Sequence, residues 1–128
     1  EVAMVGLEAL FHDATEAYLG DVMNPLKSCL DAYKAIEKTW AHAIGRRLGL
    51  GYRLARLSDI TKRADLTMLF VEHKVLRVED AAGPQWCADF EVPAHMKCIR
   101  PWSARDAAQA FRDRNLYLRR RAYLASGL

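Results

Sequence analysis

The chain has 128 residues, 52% of them hydrophobic and 27% charged, a balance that suits one packed globular domain and excludes intrinsic disorder. A net charge of +3 is too small to argue for a nucleic-acid partner. No apolar run reaches the ~18 residues of a membrane span, and no signal peptide is visible.

Three cysteines, an odd number at irregular spacing, point to reduced thiols and a cytoplasmic setting. The one concentrated basic stretch, RNLYLRRR at 114–121, reads as a solvated helix face.

In chain order, the first helix is expected from Val2 to Leu19, with Val5, Leu7, Leu10, Phe11 and Ala14 as its apolar stripe and Gly20 just past its end. Asn24 and Pro25 then form a start signal, an N-cap followed by a proline in the first turn. The second helix is expected to run to Leu48, with Leu26, Leu30, Tyr33, Ile36, Trp40, Ala43 and Leu48 inward, and GLG at 49–51 ends it. A third helix starts near Ser58 or Asp59, both good caps, with Ile60, Ala64, Met68, Val71 and Val75 on one side.

From Val78 to Arg100 the chain has no clear period and holds Gly83, Pro84 and Pro93, which reads as a long loop with room for a short helix. Ser103 with Asp106 resembles a capping box, and a last helix follows with Ala104, Ala108, Phe111, Leu118 and Ala122 inward. No segment reads as a strand. The fold class is therefore all-α, helices packed around one core.

The chemistry concentrates in LFHDATEAYLGD, residues 10–21. His12, Asp13 and Glu16 sit together among Val, Leu and Phe, and buried charge costs several kcal/mol unless it is paired or bound to metal. On a helix His12 and Asp13 are about 100° apart. That angle is wide for a hydrogen-bonded pair but suits two ligands straddling one ion. Glu16 follows at the three- and four-residue separations that share a face. A mixed nitrogen and oxygen donor set favours Mn, Fe, Co, Zn or Mg over a soft-metal thiolate site. Asp65, between Ala64 and Leu66, is the best remote candidate for a further ligand, although by pattern alone it reads first as a surface acid.

HDATEAYLGDVMNPLK (12–27), YKAIE (33–37), KRAD (62–65) and IRPWSARDAAQAF (99–111) together resemble the HD-domain metal-dependent phosphohydrolases. The likeness is to a small bacterial and phage branch that includes the 5′-deoxynucleotidases. It covers most of the chain and implies an HD-domain helical bundle. It further implies one divalent metal ion held by His12, Asp13 and Asp65, with Glu16 handling the proton of an attacking water. Asp21 matches an aspartate expected to orient the site or contact substrate. Lys27 would meet a phosphate as a point charge, with a solvated first-turn lysine as the plainer alternative.

The family's first metal histidine lies upstream of the His-Asp pair. His42, His73 and His95 do not occupy its place. The expectation is one HD-type domain, residues 1–128, lacking its N-terminal helices. A degenerate site is the alternative.

The function implied is hydrolysis of a nucleotide, a deoxynucleoside mono- or triphosphate. The alternatives are a hydrolase of a signalling nucleotide and a non-catalytic helical binding module. The expected partners are a small nucleotide and, as in related enzymes, a second copy in a homodimer, with no nucleic acid and no membrane.

Other residues carry less. Cys87, His95 and Cys98 match no standard zinc spacing. Trp40 reads as core, Trp86 as a loop residue open to substrate, and Trp102 as a hydrophobic staple before the last helix.

Overall fold

The structure, a computed structural model, describes residues 1–76 and 89–126. Among the described residues six α-helices follow one another: α1 (Val2–Phe11), α2 (Glu16–Leu19), α3 (Asn24–Ser28), α4 (Asp31–Arg47), α5 (Asp59–Leu76) and α6 (Ala104–Ala125). Single 3₁₀ turns lie at Arg53–Ala55 and Ala94–Met96. No strand occurs among the described residues, so the fold is all-α. No helix among them is long and apolar enough to cross a membrane.

Helix α1 is central, packed against α6, α5 and the Arg53–Ala55 turn. The α1–α6 contact is antiparallel: a Cβ on Gly6 would fall 2.8 Å from Leu118 Cδ2, and Phe11 meets Phe111 edge to face at 5.1 Å. A side chain at Gly6 would force the end of the Leu118 side chain to shift. Against α5 the alignment is parallel, with Glu8 beside Ser58 and His12 beside Asp65. Leu7, Ala41, Leu50, Leu54 and Leu118 form the buried core, with Met4, Leu10, Phe11, Ile44 and Leu48 packed on it.

Helix α4 ends in a Schellman motif. Gly49 takes φ +73°, the Leu50 N–H donates to Gly45 O at 2.8 Å, and the Gly49 N–H donates to Arg46 O at 3.2 Å. The turn brings Gly51 O so close to α4 that a Cβ on Gly45 would sit 2.3 Å from it. Arg119 of α6 donates to Leu48 O at 3.2 Å, which adds positive charge at the carboxyl end of α4.

Several expectations need correction. The first helix is not continuous to Leu19: it stops at Phe11, and His12–Thr15 form a tight turn. In that turn the Ala14 N–H donates to Phe11 O and the Glu16 N–H to Asp13 O, three-residue bonds that replace the helical ladder. The second helix is likewise split. It starts at Asn24, inside the helix rather than at its cap, and breaks at Cys29 and Leu30, where Leu30 has φ −113° and ψ 75°. Ser28 Oγ donates to Pro25 O, and Lys34 Nζ donates to Ser28 O, which satisfies carbonyls that the break leaves open.

The inward lists were also too generous. Leu26, Leu30, Ile36, Ile60, Ala64, Ala104, Ala108 and Phe111 are exposed. Trp40 is not core: it is 39% exposed and stacks on Tyr18 at 4.8 Å. The buried face of α4 is made instead by Ala41 and Gly45, because small residues there let the Arg53–Ala55 turn come close. Trp102 is exposed rather than buried as a staple.

The third and last helices begin where their caps stand. Ser58 Oγ accepts from the Thr61 N–H, and Ser103 Oγ accepts from the Asp106 N–H. At α6 the Asp106 carboxylate takes a hydrogen bond from the Ser103 hydroxyl rather than from its backbone, so the reciprocal capping box is incomplete. Of the expected loop, Val78 to Ala88 lies outside the described residues, with Trp86 and Cys87.

Candidate metal centre

The turn at His12–Thr15 builds the site. Its hydrogen bonds tighten to three-residue spacing, and it carries His12 and Asp13. His12 Nε2 is 2.9 Å from Asp13 Oδ2, so the adjacent pair does touch, contrary to the geometry of a continuous helix. Asp65, one turn past Thr61 on α5, brings its Oδ1 to 3.3 Å from the same Nε2. His12, Asp13 and Asp65 each offer one ligand atom, all within 4.8 Å of one another.

The other ring nitrogen settles the proton. His12 Nδ1 lies 2.9 Å from Ala9 O. A carbonyl only accepts, so Nδ1 carries the hydrogen and donates it. In the neutral ring Nε2 is then a bare lone pair facing two carboxylate oxygens. Like-signed atoms at that range repel unless a proton or a cation stands between them. The donor set, one imidazole nitrogen held by its N–H to a carbonyl and two carboxylates, fits a hard or borderline divalent cation.

The acids respond to this crowding. Burial, followed by the neighbouring Asp65 and Asp21 charges, raises the Asp13 carboxyl above the ordinary carboxylate range despite the opposing pull of His12. Glu16 is raised too, by burial first and then by Asp13 and Asp21.

Cavities open on each side of His12 and Asp13. One of about 270 Å³ is lined by Glu16, Lys27, Lys34, Glu37 and Lys38 as well as His12 and Asp13. A second of about 490 Å³ is apolar, with Phe11, Tyr18, Ile44 and Phe111 in its wall. A third of about 430 Å³ lies along α5, past Asp65 to Glu72.

The residues singled out from sequence therefore divide. His12, Asp13 and Asp65 come together, and Glu16 and Lys27 share a cavity with the first two. Lys27 is already engaged: its Nζ is 2.5 Å from Glu37 Oε1 and 5.8 Å from the centre of the Tyr33 ring. Burial lowers its pKa but the Glu37 carboxylate outweighs that and raises it, so Lys27 stays charged. Asp21 is exposed and does not line that cavity, although its charge reaches Asp13 and Glu16. The loop that carries it is fastened by Tyr33, whose hydroxyl donates to Gly20 O at 2.9 Å. His42 packs edge to face on Tyr52, and His95 and Cys98 are exposed.

Sequence reading missed Glu8, the buried acid one turn before His12. Its only signal was a charged residue within the apolar run VGLEALF. Lys34, Glu37 and Lys38 were missed as cavity residues; their spacing along one face of α4 carries that signal.

The chain is 40% identical over 87 residues to the uncharacterized protein YfdR of Escherichia coli (strain K12), a match that covers 68% of this chain and 46% of that relative. The chain thus spans about half the length of the curated relative it matches. No protein-family model matches the chain, and no solved structure matches it.

Proposed function

We propose that the chain is a metal-dependent phosphohydrolase of the HD type, acting on a nucleotide such as a deoxynucleoside mono- or triphosphate. The observation that carries this reading is the convergence of His12 Nε2 with the Asp13 and Asp65 carboxylates, the ring held by its Nδ1–H on Ala9 O. The likeness of residues 12–27, 33–37, 62–65 and 99–111 to HD-domain enzymes supports it.

A divalent cation held by His12, Asp13 and Asp65 would supply Lewis acidity, polarising a phosphoryl oxygen and lowering the pKa of water toward ~7. Glu16 lines the cavity next to His12 and Asp13, and its raised pKa suits a carboxylate that takes a proton from water at one of its oxygens. Lys27, with Lys34 and Lys38 on the same wall, offers ammonium groups to phosphate oxygens, and Glu37 holds Lys27 charged and in place. The apolar cavity bounded by Phe11, Tyr18 and Phe111 is open on the other side of His12 and Asp13 for the uncharged part of the substrate.

The test is a phosphate-release screen across nucleotides with Mn²⁺, Co²⁺, Zn²⁺ or Mg²⁺ added, with Asp13→Ala as control. Release by the wild type and not by the variant supports hydrolysis. Tight nucleotide binding without release turns the reading toward a binding module.

A further inference from the structure

We propose Glu8 as the positioning residue that holds Asp65 opposite His12, an inference that rests on the metal reading above. Glu8 is 1% exposed, yet it is an acid. A carboxylate removed from water must be hydrogen-bonded. Its Oε1 accepts from the Ser58 backbone N–H at 2.6 Å, and its Oε2 accepts from Arg53 at 3.4 Å. The Ser58 and Thr61 hydroxyls also act to lower its pKa. Ser58 and Thr61 themselves are joined, oxygen to oxygen, at 3.1 Å. Every partner of Glu8 thus belongs to the start of α5 or to the turn just before it.

The register makes this local clasp consequential. Glu8 and His12 are one turn apart on the α1 side; Thr61 and Asp65 are one turn apart on α5. The helices run parallel where they touch, so Glu8 on Ser58, with Thr61 buried beside that bond, and His12 on Asp65 are successive rungs between the same two elements. Asp13 lies next to His12 in the chain and needs no such help. Asp65 comes from 53 positions away and reaches His12 only because α5 is placed beside α1. Thr61 is itself 1% exposed, so Glu8 and Thr61 are both shut off from water. Glu8 touches neither ion nor substrate. It acts through α5.

Calorimetric titration of the chain with Mn²⁺ tests this, using Glu8→Gln and Thr61→Val. Both remove acceptor or donor capacity from the rung with little change in shape. Each is expected to weaken Mn²⁺ binding about tenfold, the loss typical of groups that orient metal ligands. Thr61→Ser, which keeps the hydroxyl, is expected to bind as the wild type does. Leu118→Ala, in the core on α6 and outside the cavities, is the stability control: it lowers the melting temperature and leaves Mn²⁺ affinity unchanged. Folded Glu8→Gln with wild-type affinity overturns the proposal, as does an equal loss in Leu118→Ala.

A structure of metal-free Glu8→Gln gives an arm independent of any ion. The His12–Asp65 contact, 3.3 Å here, is expected to open beyond hydrogen-bonding range, and its retention overturns the proposal. If the wild type takes up no Mn²⁺, the metal reading falls, and this second arm alone decides the role of Glu8.

Discussion

His12 Nε2 and Asp65 Oδ1 stand 3.3 Å apart although 53 positions separate them in the chain. Asp65 is 58% exposed at its side chain and forms no other ion pair among the described residues. The fold therefore has little need of it. Asp65→Ala is expected to change stability by less than about 0.5 kcal/mol, as exposed substitutions usually do. It is expected to weaken divalent-metal binding by more than the about 10–100-fold that loss of a merely orienting group costs. Urea melts and calorimetric titration with Mn²⁺ measure the two, and an unchanged affinity removes Asp65 from the centre.

Glu16 should separate catalysis from metal binding. Glu16→Gln keeps the shape of the wall and removes the proton acceptor. Phosphate release is expected to fall by about 10²–10⁴-fold, the usual worth of a general base, while Mn²⁺ affinity holds within about threefold, well inside the loss that orienting groups cause. Equal losses of both would move Glu16 into the ligand set.

The raised Asp13 and Glu16 carboxyls give a pH signature. In the metal-free chain, side-chain carbonyl resonances followed by NMR are expected to place both above the ordinary carboxylate range, through burial first and neighbouring acids second. Asp21→Asn removes one of those charges and lowers both. Added Mg²⁺, a diamagnetic cation, favours the ionised form and pulls Asp13 down. An Asp13 resonance that ignores Mg²⁺, Zn²⁺ and every other diamagnetic divalent cation speaks against a shared ion.

Glu8 links stability to pH in the opposite sense. Burial raises its pKa, but hydrogen bonds from Ser58, Thr61 and Arg53 outweigh burial and hold it below its ordinary value of 4.5. A carboxyl lowered in the folded state contributes stability above its unfolded pKa and loses it as pH falls through the folded one. Acid titration of the wild type is therefore expected to show stability falling below about pH 4.5. Glu8→Gln is expected to flatten that slope and to cost about 1–3 kcal/mol near neutral pH, the penalty for leaving buried donors poorly met. Urea melts from pH 7 down to pH 3 measure both.

Gly45 tests the approach of α4 to the turn that follows it. A methyl group there meets Gly51 O at 2.3 Å, and that oxygen belongs to backbone, not to a flexible side chain. Gly45→Ala is expected to destabilise the fold by about 1–3 kcal/mol despite the better helix propensity of alanine. A urea midpoint equal to that of the wild type would mean the turn can move aside.

Much of the architecture was written locally. The starts of α5 and α6 follow from Ser58 and Ser103, whose hydroxyls meet the third N–H beyond them, and the end of α4 follows from Gly49, which alone can take φ +73° without strain. His12, Asp13 and Glu16 stood out because carboxylates and an imidazole among apolar residues need an explanation; Asp65 reads by pattern alone as a surface acid, and the resemblance singled it out.

Tertiary structure decided the rest. It broke the first helix at His12–Thr15, where Thr15 is buried and the bonds tighten to three-residue spacing. It turned Trp40 and Ile36 outward, because an apolar residue at the right period is buried only if something covers it. It made Glu8 a buried clasp, which the lone acid within VGLEALF signals but cannot explain, since its donors arrive from Arg53 and Ser58. Local sequence sets which backbone groups a short segment can satisfy by itself. Which side chains lose their water, and which acid meets which histidine, depends on surfaces brought together from distant parts of the chain.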